Sequence, residues 1–140
     1  MLDASRSLPF QIGFERVLAD VPCSGTGTLA RNPEIKWRLR AEDLARFAQT
    51  QAKILSNGLS RLAPGGRLVY ATCSLEPEEN EEVVASALAI FPQCRLMQAA
   101  ELRRDFSALA SLFADDGYFR TWPGVQPLDG FFAAVINRDL

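Results

Sequence analysis

Two cysteines and one aspartate hold the reactive chemistry of this sequence. Cys23 stands three residues after Asp20, in Asp20-Val-Pro-Cys-Ser-Gly-Thr-Gly27. Cys73 follows Thr72, in Tyr70-Ala-Thr-Cys-Ser74. Two thiols beside a carboxylate can add to an electron-poor carbon as thiolate, move a proton and leave again by elimination. A lone cysteine is most often a small buried hydrophobe, and Cys94, just after Pro92-Gln93, reads that way. Histidine is absent, which excludes every mechanism built on a histidine base, Ser-His-Asp and Cys-His pairs included. Three scattered cysteines with no Cys-x-x-Cys make no zinc site, so no metal is expected.

For the two thiols to meet, the chain must place both at one end of a sheet. Arg16–Asp20 is a short apolar run that stops before Pro22 and fits a buried strand. Leu44, Phe47, Ala48, Ala52, Leu55, Leu59 and Leu62 make an apolar stripe at helical spacing over 42–62. Pro64-Gly65-Gly66 ends that helix as a structural turn. Arg67–Thr72 is a second strand, apolar enough to be covered on both faces. A second helix opens at Pro77, with Glu78, Glu79, Glu81 and Glu82 at the positive end of its dipole. Val83, Val84, Ala87, Leu88 and Phe91 are its buried face, and Pro92 stops it. Arg95–Gln98 is a candidate strand, 101–113 a weaker helix, and Gly130–Ile136 a final strand after the turn-rich 123–129.

Alternating strands and helices argue a doubly wound α/β sheet, parallel or mixed. Ligands of such sheets bind at the carboxyl ends of the strands. Consecutive βαβ strands are often neighbours, about 4.8 Å apart. Cys23 and Cys73 would then open into one crevice beside Asp20.

The 140 residues are one domain's length, 48% hydrophobic by type with a net charge of −2, which excludes disorder as the main state. No apolar run of about 18 residues is present, so no membrane partner is expected. Residues 1–12 do not read as a signal peptide. The cytoplasm, with reduced cysteines, is the expected compartment. A pI near 5.2 argues against nucleic-acid binding by bulk charge. A local basic loop remains: Arg31, Lys36, Arg38 and Arg40 surround Trp37, cations with an interleaved aromatic that suit phosphate contact and base stacking. The alternative is a solvated loop whose Trp37 packs on the core.

Asp20-Val-Pro-Cys-Ser-Gly-Thr-Gly27 resembles the fourth motif of the Sun/RsmB-like (Fmu) family of RNA cytosine-5 methyltransferases, and Tyr70-Ala-Thr-Cys-Ser-Leu-Glu-Pro-Glu-Glu-Asn-Glu81 its sixth. Ala30–Arg38 resembles the basic segment after the fourth motif, and Asp129-Gly-Phe-Phe132 the closing strand. The resemblance implies the later half of a Rossmann-like class I methyltransferase sheet, with parallel strands and a final antiparallel strand. It implies S-adenosylmethionine as methyl donor and RNA, rRNA or tRNA, as substrate. By it Cys73 attacks carbon-6 of a cytosine, Asp20 engages ring nitrogen-3, and Cys23 helps remove the carbon-5 proton and release the product. Asp3, Asp20 and Pro22 become donor contacts; Arg31, Lys36, Trp37 and Arg38 become RNA contacts. Asn80 is expected to support the cysteine loop.

Neighbouring families differ at these positions. Amino-nitrogen methyltransferases have a slot resembling Asp-Pro-Pro-Tyr where Asp-Val-Pro-Cys stands. DNA cytosine methyltransferases share a Pro-Cys but lack an element like Thr72-Cys73-Ser74. The family's glycine-rich donor loop has no counterpart here. Pro64-Gly65-Gly66 leaves a helix instead of a strand, and Ser24-Gly-Thr-Gly27 lacks a Gly-Lys-Ser/Thr ending. The expectation is one partial catalytic domain, residues 1–140, that keeps the base chemistry, is inactive alone and binds the donor weakly. Without the neighbouring strand, the edge at Arg16–Asp20 is unpaired and invites self-association. A non-catalytic RNA- or partner-binding module and a dithiol redox protein are the alternatives. The last requires Cα atoms of Cys23 and Cys73 under about 7 Å apart.

Overall fold

The computed structural model describes residues 2–140. Five strands form one sheet: β1 (Phe14–Asp20), β2 (Leu62–Thr72), β3 (Cys94–Leu96), β4 (Tyr118–Thr121) and β5 (Phe131–Arg138). The order is β1-β2-β5, and β3 and β4 both pair with the far side of β5. β1 and β2 are parallel, with Asp20 opposite Ala71. β5 runs antiparallel to β2, with Thr72 opposite Phe132. The mixed sheet with an antiparallel final strand is the one expected.

Helices α2 (Ala41–Ser60) and α3 (Glu81–Ile90) cover one face, while a short helix α1 (Ile35–Arg38) precedes α2. Asp43 starts α2 by accepting the Arg40 N–H at 3.0 Å. The apolar stripe of α2 places Leu55 and Leu59 wholly out of solvent against Leu68 and Tyr70 of β2 and Ile136 of β5. Each such leucine contributes about 1.5–3 kcal/mol by burial. Val83, Val84 and Ala87 of α3 complete this layer. On the other face α4 (Ala99–Asp105) and a 3-10 segment, Ser107–Leu112, bring Leu102 and Phe113 onto Val69 and Val135.

Five local readings are corrected. Pro64-Gly65-Gly66 does not end α2, which stops at Ser60. It lies within β2, where the step from Leu62 to Arg67 matches only the step from Phe14 to Arg16 on β1. The excess backbone is a bulge, turned at Gly65 with φ +71°. β1 is not buried on both faces: Ala19 is covered, whereas Leu18 is 71% exposed. Pro77 opens a 3-10 turn, Pro77–Glu79, and α3 begins only at Glu81, because Asn80 leaves helical geometry (φ −114°, ψ −97°). The segment 101–113 breaks at Phe106, whose ψ of 53° ends α4. β4 was not foreseen at all.

Candidate active site

β1 and β2 end side by side, and each hands its chain to a loop carrying one cysteine. The two sulfurs stand 3.2 Å apart, within hydrogen-bonding distance and unbonded. Both thiols are half-buried, so solvent reaches them. Asp20, the last residue of β1, is exposed at the same sheet end, and its charge acts on Cys73. The structure thus brings Asp20, Cys23 and Cys73 together.

The two thiols differ. Cys73 is pulled down to about 7, first by the hydrogen bond from Cys23, against the opposing effects of burial and of the Asp20 and Glu79 charges. Cys23 is pushed far up, first by its bond to Cys73 and then by burial. Cys73 is thus the more acidic thiol of the pair and Cys23 the less acidic one. The largest influence favouring the Cys73 thiolate is the hydrogen bond with Cys23. Cys94 lies apart, buried beside α3, where burial raises its thiol.

Three backbones lock the two loops. The Gly27 N–H donates to the Cys73 carbonyl at 2.9 Å, and the Gly130 N–H to the Gly27 carbonyl at 2.7 Å. A β-carbon on Gly27 would sit 2.2 Å from the Gly130 carbonyl oxygen. That close approach is the physical use of Gly27; Gly25 instead has a φ of +75°. Asn80 supports the second loop as expected: it accepts from the Thr72 hydroxyl at 2.6 Å and donates to the Ser74 carbonyl at 2.9 Å.

A buried carboxylate escaped the sequence reading. Glu79, assigned there to a helix N-terminus, is fully enclosed and accepts from the Ser24 N–H, both serine hydroxyls of Ser24 and Ser74, and the Gln51 amide. Gln51, on the buried stripe of α2, also donates to the Pro22 carbonyl at 2.9 Å. No periodicity marks Glu79 among its acidic neighbours. Gln51 carried a usable signal, as the one polar residue at i−4 from Leu55 on that stripe.

The remaining candidates sit further out. Arg31 pairs with Asp129 at 3.0 Å, beside a cavity of about 510 Å³ that Ala71 and Phe131 also line. Lys36 and Arg38 are exposed on α1, and Trp37 between them is 89% exposed, so it does not pack on the core. Pro22 is exposed after β1. Asp3 is not brought to this group. Its carboxylate accepts from the N–H and hydroxyl of Ser5 and pairs with Arg6, and the turn is tied to Asn57 on α2. Among the described residues no group of three or more histidine, cysteine or acidic side chains is placed to hold a metal. Among the described residues no helix is long and apolar enough to cross a membrane.

Residues 2–137 match the family described as 16S rRNA methyltransferase RsmB/F. The chain is 51% identical over 125 residues to the ribosomal RNA small subunit methyltransferase B of Klebsiella pneumoniae strain 342, and 39% identical to that of Vibrio cholerae. In both cases the match covers 89% of this chain and 26% of the relative. The chain thus spans about a quarter of the length of these relatives. Among solved structures, PH0851 superposes with a TM-score of 0.76 at 35% identity, over 89% of this chain and 26% of that one. NSun6 from Pyrococcus horikoshii, solved with SFG, superposes with a TM-score of 0.75 at 26% identity, over 98% of this chain and 33% of that one. SFG is an S-adenosylmethionine analogue. The family match over nearly the whole chain, the curated relatives and the solved structures agree: this chain belongs to the RsmB/F family of rRNA methyltransferases.

Proposed function

We propose that this chain carries the base-reacting chemistry of an enzyme that methylates carbon-5 of a cytosine in RNA, with rRNA the first candidate. The observation that supports it most is the 3.2 Å contact between a thiol that keeps its proton and a thiol poised to ionise. The Cys73 thiolate adds to carbon-6 of the ring. The carbon–sulfur bond forms, the 5,6 double bond opens, and its electron pair makes carbon-5 nucleophilic. Asp20, exposed at the strand end, shares a proton with ring nitrogen-3 and so stabilises the negative charge that the addition displaces into the ring; the proton returns on elimination. S-adenosylmethionine, when bound, supplies the methyl group that carbon-5 takes up. Once Cys73 is bonded to carbon, Cys23 is freed of the hydrogen bond that held its proton; it gives that proton to solvent and, as thiolate, takes the carbon-5 proton, and the carbon–hydrogen electron pair restores the double bond and expels the Cys73 thiolate. The cytosine must leave its stack to reach the thiols. Trp37, exposed between Lys36 and Arg38, offers a stacking surface flanked by phosphate contacts, and Arg31 a further cation.

The donor fits in part. Asp20 and Pro22 present one wall at the end of β1. Among the described residues, no glycine-rich loop leaves a strand to cradle the donor, since Gly27 is consumed by the contact with Gly130. Transfer by these 140 residues alone is therefore expected to be undetectable. The test uses a full-length enzyme carrying this sequence, labelled donor and RNA. Cys73→Ala abolishes methylation, whereas Cys23→Ala accumulates a covalent RNA–protein adduct resolved by denaturing electrophoresis. Unchanged turnover in Cys73→Ala removes the nucleophile and the reading with it.

A further inference from the structure

Glu79 is wholly buried, and among the described residues no lysine or arginine forms an ion pair with it. Burying a carboxylate is costly unless hydrogen bonds replace its water. Here four donors do so. One oxygen accepts from the Ser24 N–H and from the Gln51 amide, each at 2.9 Å. The other accepts from the Ser24 and Ser74 hydroxyls, each at 2.5 Å. Ser24 follows Cys23, and Ser74 follows Cys73. One carboxylate therefore bonds the residue next to each thiol. Its own backbone is held as well: the Tyr70 hydroxyl donates to the Glu79 carbonyl at 2.6 Å.

We propose that Glu79 is a positioning residue for the two-cysteine chemistry: its carboxylate clamps Ser24 to Ser74 and so keeps the Cys23 thiol in hydrogen-bonding reach of Cys73. The proposal rests on the reading that Cys73 is the nucleophile. It makes the acidity of Cys73 a property of the clamp. The charged and titratable groups acting on Cys73 are Cys23 and Asp20 from the end of β1 and its loop, and Glu79 from the 3-10 turn. The Cys23 bond favours the thiolate, whereas the two carboxylates oppose it. The geometry and the charge of Glu79 thus push Cys73 in opposite directions, and variants separate them.

Glu79→Asp keeps the charge and shortens the arm by one methylene, so it cannot span both serines. Glu79→Gln keeps the length and drops the charge; its amide can donate to serine hydroxyls, which rotate to accept. The readout is the pH dependence of Cys73 alkylation by iodoacetamide in this chain, assigned by peptide mass spectrometry. With the clamp, Glu79→Asp moves the midpoint upward, and a one-unit rise slows alkylation at pH 7 about five-fold. Glu79→Gln restores the midpoint to the wild-type value or below it. An unmoved midpoint in a folded Glu79→Asp chain overturns the proposal, as does a rise in Glu79→Gln equal to that in Glu79→Asp. Should Glu79→Asp fail to fold, Ser74→Ala carries the test, because it removes one contact and leaves the carboxylate in place. A higher midpoint supports the clamp and an unmoved one overturns it. Alkylation needs neither RNA nor donor, so its outcome is separate from that of the methylation assay.

Discussion

Cys73 owes most of its acidity to one neighbour, with a smaller contribution from a hydrogen bond of its own backbone. The hydrogen bond from Cys23 is the largest influence on it, and burial, Asp20 and Glu79 all work the other way. Removing the donor should therefore let the opposing effects win. Cys23→Ala is expected to move the alkylation midpoint of Cys73 upward from about 7, toward that of an ordinary thiol. The sign follows from the thiolate being the reactive form: alkylation at pH 7 slows, and the difference closes as the pH rises. Cys94, buried and raised, should react slowly in both proteins, which gives an internal reference in the same mass spectra. An unchanged Cys73 profile would mean that the sulfur contact does not set its ionisation.

The loops that carry the thiols are joined to each other through the backbone of Gly27. Gly27 lies between Cys73 and Gly130, with its N–H and carbonyl both committed and no room for a side chain. Gly27→Ala must separate the β1 loop from β5, and overpacking of this kind costs about 1–3 kcal/mol. A fall in the urea midpoint together with faster Cys23 alkylation is expected. An unaffected urea transition would show that the loops yield without cost. Other elements were harder to read. The bulge at Pro64-Gly65-Gly66 has the composition of a helix terminator, and only its pairing against β1 reveals it as part of a strand. β4 has four residues, with Arg120 over the Tyr118 ring and paired with Asp116 and Glu81, so no alternation announces it. Its hydrogen bonds come from β5, which lies beyond a turn.

Seen whole, the molecule presents two unequal sheet edges. One side of β5 is shared by β3 and β4, while among the described residues β1 has a neighbour on one side only and exposes Leu18. An unpaired strand edge with an exposed apolar residue favours strand addition. The chain is expected to associate with rising concentration in sedimentation velocity, and Leu18→Lys to shift it toward monomer at little cost in stability, since the side chain is 71% exposed. Equal sedimentation of the two proteins would remove β1 as the contact. The placement of Asp20, Cys23 and Cys73 at two strand ends was legible in the sequence, because each lies in an unbroken motif, and the buried faces of α2 and α3 follow from side-chain spacing alone. The 3.2 Å sulfur contact, the division of one proton between two like thiols and the enclosure of Glu79 belong to the folded molecule. Each depends on groups about 50 residues apart arriving at one point, and their hydrogen bonds and electrostatic effects act over a few ångströms of space rather than along the chain.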